Sequence, residues 1–257
     1  MTARRITLRI SFRSDAGLER PRNEDNYCYV EGNETALLAV ADGMGGHVGG
    51  DVASYLAVKT LLDLFCSEYN DAFQDANILP YIEKIVKKAN REIYQTALQE
   101  PEKMGMGTTL TMGMIRERVF YWGHVGDSRA YLIHQNFLEQ ITRDHSLVEE
   151  MVSKGKITPR EARFHPQRNV LTRVLGTSQH VNVDLGKLEL AENNDLLLCT
   201  DGLTSLLDED EIHQVIMNYR ENPEEVATYL IDMANSRGGS DNITLIYAIE
   251  AGRKRTS

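Results

Sequence analysis

Four aspartates stand beside glycine, serine or asparagine where an apolar stretch gives way to turn residues: Asp42-Gly43, Asp127-Ser128, Asp201-Gly202 and Asp241-Asn242. The stretches before the first and third, residues 36–41 and 196–200, are short, apolar and bounded by turn formers, as buried strands are. A carboxylate at such a boundary is half removed from water. Keeping one charge there costs several kcal/mol, and gathering like charges costs more unless a cation sits among them. Hard divalent cations, which prefer oxygen ligands, suit such a cluster. Taken singly, each aspartate also fits an ordinary turn or helix cap. Asn23-Glu24-Asp25, preceded by Arg20 and Arg22, adds two carboxylates and a guanidinium, or else forms a solvated turn with surface ion pairs.

The glycine-rich run after Asp42 invites a nucleotide-binding reading that its spacing rejects. A dinucleotide fingerprint needs glycine at the positions of residues 43, 45 and 48, and residue 48 is valine; a P-loop needs Gly-Lys followed by Ser or Thr, absent here. What Gly43 does offer is a carbonyl oxygen that no side chain shields, beside the Asp42 carboxylate.

These groups must be positioned by a scaffold of strands and helices. Alternation at Ile6, Leu8, Ile10 and Phe12 predicts a half-exposed edge strand, and strands over 26–31 and 36–41, joined through Gly32-Asn33, extend it into an opening β-meander. Apolar spacing predicts helices over 52–68 and 79–99, the latter with Pro80 in its first turn. Strands follow at 109–112, 118–122, 130–133 and 137–141, with turns at Arg116-Glu117 and Gln135-Asn136, an antiparallel block rather than a β-α-β series. Residues 144–178 read as a small polar flap. Asp144-His145-Ser146 can cap a short helix with Leu147 and Met151 on its apolar face, and Thr158-Pro159-Arg160-Glu161 starts another. A strand over 181–188, the strand to Thr200, helices over 209–217 and 223–236 and a last strand over 243–249 complete one α+β domain spanning 1–250, with 251–257 a disordered tail.

The chain has 257 residues, 42% hydrophobic and 26% charged, as a water-soluble globular protein would. Its net charge of −10 opposes association with nucleic acid or an anionic membrane. Cys28, Cys66 and Cys199 are odd in number and match no metal pattern, which suits buried thiols in a reducing compartment. No run approaches the roughly 20 apolar residues of a membrane span, and residues 1–13 alternate rather than form an apolar leader. The expected location is the cytoplasm.

The ordered motifs Gly17-x-x-Arg20-x-x-Asn23-Glu24-Asp25, Asp42-Gly43-Met44-Gly45-Gly46-His47, Met106-Gly107-Thr108-Thr109, Gly123-His124-Val125-Gly126-Asp127-Ser128-Arg129, Thr200-Asp201-Gly202 and Ser240-Asp241-Asn242 resemble those of bacterial PP2C-type (PPM) serine/threonine phosphatases over nearly the whole chain. The resemblance implies a central β-sandwich of two antiparallel sheets flanked by helices, with a metal-filled cleft at one end. It makes Asp42 the bridge between two Mn²⁺ or Mg²⁺ ions, with the Gly43 carbonyl on one ion and Asp201 and Asp241 on the other. Glu24 and Asp25 then hold metal-bound waters, Asp127 helps hold a weaker third ion, and Arg20 clamps the substrate phosphate.

That reading implies hydrolysis of phosphoserine and phosphothreonine on proteins by direct attack of a metal-bridging hydroxide. Partners would be phosphorylated proteins, including a bacterial Ser/Thr kinase and its targets, met by a monomer. The leaving alkoxide needs a proton. Where the eukaryotic branch of the family has a histidine after Asp-Gly, this chain has Met44, so a water polarised by the third ion is the preferred donor and His47 the alternative. His124 reads as a core residue, whereas His145 and His165 fall in the flap, free to meet substrate or solvent. Phe120, Tyr121 and Trp122 read as core packing. A catalytically silent module of the same fold is the competing reading, and a calcium-stabilised structural protein fails because no loop carries the EF-hand spacing.

Overall fold

A computed structural model of the chain describes residues 8–32, 35–70 and 73–250, with the side chains of residues 46–48 outside that description. Strands β1 (Leu8–Asp15), β2 (Asp25–Glu31) and β3 (Thr35–Met44) are followed by helices α1 (Gly46–Glu68) and α2 (Ile78–Gln99). Five more strands come next: β4 (Gly107–Thr108), β5 (Leu110–Arg116), β6 (Val119–Val125), β7 (Arg129–Ile133) and β8 (Leu138–Gln140). The flap helices α3 (Leu147–Ser153) and α4 (Pro159–Arg163) precede β9 (Asp184–Glu189) and β10 (Asp195–Cys199). Helices α5 (Asp201–Thr204), α6 (Glu209–Tyr219) and α7 (Pro223–Ser236) lead to β11 (Ile243–Glu250).

All strand pairs are antiparallel, in two sheets ordered β1-β11-β10-β7-β8 and β2-β3-β5-β6-β9, with β4 paired to the end of β3. The expected α+β sandwich is therefore present, and three apolar cores explain its four layers. Alternation along β3 sends Leu37, Ala39 and Ala41 into a core with α1 and α2, and Ala36, Leu38 and Val40 into the core between the sheets. In β10, Leu197 and Cys199 face α5–α7, while Leu196 and Leu198 face the other sheet. Burial on both faces is why these strands are continuously apolar. In α2, Ile82, Ile85, Val86, Ala89, Ile93 and Ala97 are all buried, as the helical period requires.

Several expectations need correction. β1 pairs with β11 in the opposite sheet from β2 and β3, so the chain does not open as a meander; alternation identifies a strand but not its partner. β3 does not stop before Asp42 but continues to Met44 through pairing with β4, placing Asp42 and Gly43 within the strand. α1 begins at Gly46 rather than residue 52, because its glycines fit against Met106 and Glu24, where a Cβ on Gly49 would approach the Met106 Cβ to 2.7 Å. β9 starts at Asp184 rather than 181, α3 buries Val148 rather than Leu147 or Met151, and Cys66 is exposed. The remaining boundaries shift by up to four residues. Ile6, Asn33, the side chain of His47 and the tail at 251–257 lie outside the described residues.

The flap is sewn to the sandwich at its base. His145 donates its backbone N–H to Gly126 O at 2.7 Å, and isolated bridges join Ser146 to Leu171 and Thr108 to Leu175. Both helix caps form as expected: Ser146 accepts from the Glu149 N–H, and Thr158 and Glu161 make a reciprocal capping box. No helix among the described residues is long and apolar enough to cross a membrane.

Candidate active site

One cleft of about 630 Å³ collects Arg20, Glu24, Asp42, Gly43, Asp127, Asp201 and Asp241 from loops and strand ends of both sheets. Asp25 does not line it but lies directly behind, buried and opposite Asp42 in the β2–β3 register. All eight expected site residues thus converge.

Hydrogen bonds hold Asp42, Glu24 and Asp25 in place. The Asp42 N–H donates to Thr109 Oγ1 at 2.9 Å, while its carbonyl accepts from the Thr109 N–H at 2.9 Å and from Thr108 Oγ1 at 2.8 Å. Thr109 Oγ1 also lies 2.7 Å from Ser128 Oγ, linking Asp42 to the Asp127 loop. Asn242 Oδ1 accepts from the Glu24 N–H at 2.8 Å, and its amide donates to Ala16 O and Arg22 O at 2.9 Å, so one side chain ties three points of the β1–β2 loop beside Asp241. Thr200 Oγ1 donates to Asp25 Oδ2 at 2.8 Å. Thr109, Thr200 and Asn242 appear in the sequence motifs, yet only the cross-chain contacts reveal these roles.

The glycines after Asp42 and Asp201 answer to sterics. A Cβ on Gly43 would lie 2.1 Å from Gly50 O and 2.5 Å from Glu24 O, and one on Gly202 would lie 2.0 Å from Asn242 O. Backbone approaches the site so closely that no side chain fits.

Electrostatics mark the cluster as short of positive charge. Burial, then the neighbouring Asp25, Asp201 and Asp127, pushes the Asp42 carboxyl well above the usual range. Burial likewise raises Asp127 and Asp201, with Asp201 and Asp241 respectively as the leading charged neighbours. Asp25 is raised by burial despite its threonine hydrogen bonds, and Glu24 by burial and Asp51. Buried Asp25 Oδ1 and Asp201 Oδ1 have no hydrogen-bond partner. Arg20 is the cation at hand, donating from Nη2 to Asp241 Oδ2 at 2.8 Å. Among the described residues no three His, Cys, Asp or Glu side chains are gathered tightly enough to hold an ion as they stand. Carboxylates that repel one another, with one turned to Arg20, have no reason to close up without a cation. Among the described residues the carboxylates and carbonyls around the cleft offer oxygens, with no Cys or His in its lining, and the orphaned Asp201 Oδ1 leaves an acceptor for a hard divalent ion.

Elsewhere, His124 is a satisfied core residue, its ring nitrogens bonded to Thr111 Oγ1 at 2.8 Å and Arg143 O at 3.1 Å. His145 is not free to meet substrate. It is buried, its Nδ1 accepts from the Gly126 N–H, and its Nε2 lies 3.1 Å from Asp184 Oδ2. Phe120 and Tyr121 are buried, and Trp122 half-buried.

The protein phosphatase 2C family profile matches residues 19–236. The chain belongs to the protein phosphatase 2C family. It is 39% identical over 236 residues to a serine/threonine phosphatase, stp, of Listeria monocytogenes, an alignment covering 91% of this chain and 93% of that one. Its fold matches the crystal structure of the serine/threonine phosphatase Stp1 from Staphylococcus aureus with a TM-score of 0.91 at 35% identity, covering 96% and 97% of the two chains. It also matches the catalytic domain of the phosphatase PstP in complex with two manganese ions, at a TM-score of 0.81 and 36% identity over 94% and 97%. Family membership makes this chain a protein phosphatase and removes the silent-module alternative.

Proposed function

We propose that this cleft hydrolyses phosphoserine and phosphothreonine on proteins with Mn²⁺ or Mg²⁺ held by Asp42, the Gly43 carbonyl, Asp201 and Asp241. Glu24 and Asp25 serve through water, and Asp127 helps hold a weaker third ion. The observation that carries this reading is the convergence of carboxylates on one cleft with two enclosed, unpartnered oxygens, in a chain whose family includes a two-manganese relative. When bound, such ions lower the pKa of a coordinated water and neutralise charge developing on the phosphoryl group.

The chain's own groups set the geometry. Hydrogen bonds from Thr108 and Thr109 fix the backbone that aims Asp42 into the cleft, and Thr200 orients Asp25 behind it. Arg20 is half exposed, so its guanidinium can exchange Asp241 for two oxygens of a substrate phosphate. That exchange would release Asp241 for its own ligand role. Met44 lines the mouth and carries no proton to give, so the leaving alkoxide is protonated from elsewhere.

The substrates in this reading are a serine/threonine kinase and its targets, since the relatives are named serine/threonine phosphatases. Buried free thiols at Cys28 and Cys199 favour the cytoplasm. Phosphate release from a phosphothreonine peptide, measured with Mn²⁺, Mg²⁺ or Ca²⁺, tests the reaction. Turnover with the first two and its loss in Asp42→Ala are expected; metal-independent turnover, or full activity in the variant, would refute it.

A further inference from the structure

Asp127 lies in the link between β6 and β7, and its two neighbours in the chain are held from different sides. Ser128 is fixed by Thr109, whose Oγ1 lies 2.7 Å from Ser128 Oγ, and by Thr111, whose hydroxyl donates to Ser128 O at 2.6 Å. Gly126 is bound through both of its polar atoms to His145. Its carbonyl accepts from the His145 backbone N–H at 2.7 Å, and its own N–H donates to His145 Nδ1 at 3.0 Å. The imidazole thus stands where the carbonyl of a neighbouring strand would. Gly126 has a φ of +113°, and a Cβ there would lie 2.5 Å from Thr109 Cβ, so the link turns through a conformation that only glycine adopts with ease. The direction in which Asp127 leaves that turn depends on the bonds that fix it.

The His145 ring is itself held. It is buried, with its centroid 4.7 Å from that of His124 on β6, and its Nε2 lies 3.1 Å from Oδ2 of Asp184, which the β6–β9 register sets opposite His124. A neutral ring that accepts at Nδ1 carries its proton on Nε2, where it donates to Asp184. Arg173 Nη1 is also 2.9 Å from Nε2, but a guanidinium has no lone pair to offer that proton. It donates instead to Asp184 Oδ1 at 2.5 Å and to Asn182 O at 3.3 Å. Burial holds the imidazole below its ordinary range despite the Asp184 bond, which leaves Nδ1 free to accept.

The geometry points to His145 as a positioning residue for Asp127: its Nδ1 fixes the Gly126 peptide, and with it the aim of the Asp127 carboxylate at the third ion. The inference rests on the proposed function, in which Asp127 serves a weaker ion than Asp42, Asp201 and Asp241 do, and it assigns a task to a residue outside the cleft. Asp184 and Arg173 fix the tautomer that the task requires.

The test counts free Mn²⁺ by electron paramagnetic resonance as the metal is titrated into the protein, which gives the affinity of each class of site without turnover. His145→Phe keeps a ring and removes the acceptor, whereas His145→Asn can place its Oδ1 where Nδ1 stood. Groups that orient a metal ligand typically change affinity roughly 10–100-fold when lost, so in His145→Phe the weak class should bind at least about tenfold less tightly while the tight class holds. His145→Asn should restore most of that loss, with the folding of both variants checked by their melting curves. An unchanged weak class in His145→Phe, an Asn variant as impaired as the Phe variant, or equal losses in both classes would overturn the assignment, the last making His145 an ordinary core residue. The wild type carries an independent check by nitrogen-15 NMR, with Mg²⁺ in place of paramagnetic Mn²⁺. Nδ1 of His145 should be unprotonated and the Gly126 amide slow to exchange; a proton on Nδ1, or a freely exchanging amide, would also overturn it. A wild type with the tight class alone would remove the third-ion role of Asp127 and the task of His145 with it, whereas one that binds no Mn²⁺ would refute the metal-dependent reading as a whole.

Discussion

Replacing Asp201 by asparagine should make the metal-free protein more stable and the metal-loaded protein less so. In a chelator, Asp201 is half-buried with an enclosed Oδ1 that has no hydrogen-bond partner, and Asp42, Asp127 and Asp241 surround it with like charge. An orphaned buried acceptor costs about 1–3 kcal/mol, and the substitution removes the charge while giving Asp42 an N–H donor. For a chain of this length about 1 kcal/mol corresponds to roughly 2–4 °C, so Asp201→Asn should melt roughly 3–10 °C above wild type in a chelator. Manganese at a thousand times its Kd stabilises the wild type by about 4.1 kcal/mol, a gain the variant should lack. The order of the two melting temperatures should therefore reverse between chelator and saturating Mn²⁺ in calorimetry. A variant less stable than wild type in chelator would refute the idea of like-charge strain, and an undiminished Mn²⁺ shift would refute Asp201 as a ligand.

Gly43→Ala should cost at least about 2 kcal/mol in urea unfolding, because the new Cβ meets two backbone carbonyls that cannot move independently; a neutral effect would contradict the close approach. Burial pushes the His124 imidazole down to about 4 from an ordinary value of about 6.5, so between those values the unfolded chain binds more protons than the folded one. Stability should thus be lost as pH falls through that window, by about 3 kcal/mol from this group, and His124→Asn should flatten the pH dependence of the urea midpoint; equal slopes would count against it. Asp195→Ala, at the end of β10 away from Asp201, strands Arg220 and the Tyr247 hydroxyl and should cost about 3–5 kcal/mol, while peptide turnover well below the transition stays near wild type.

Local signals reached the helices of the sandwich and the acids gathered at its cleft. The apolar period of α2 and the Thr158–Glu161 capping box depend on neighbours a few residues apart, so the chain reads them directly. The Asp-Gly pairs were legible for a related reason: an acid and a shape constraint sit side by side wherever backbone crowds a site. The pairing of β1 with β11 was not, since its energy comes from a partner 228 (Asp15 to Ile243) to 242 (Leu8 to Glu250) residues away that leaves no mark on the alternation of β1.

Residue types and their order were enough to name the family and to mark the acids that the cleft gathers. Only the folded chain separated Glu24, in the cleft, from Asp25, buried behind it, and carried Asp42 inside a strand rather than past its end. It alone gave Thr109, Thr200 and Asn242 their tasks and withdrew His145 from the substrate face. Hydrogen bonds and packing between distant segments are set by the three-dimensional path, whereas sequence spacing records only what neighbours along the chain demand.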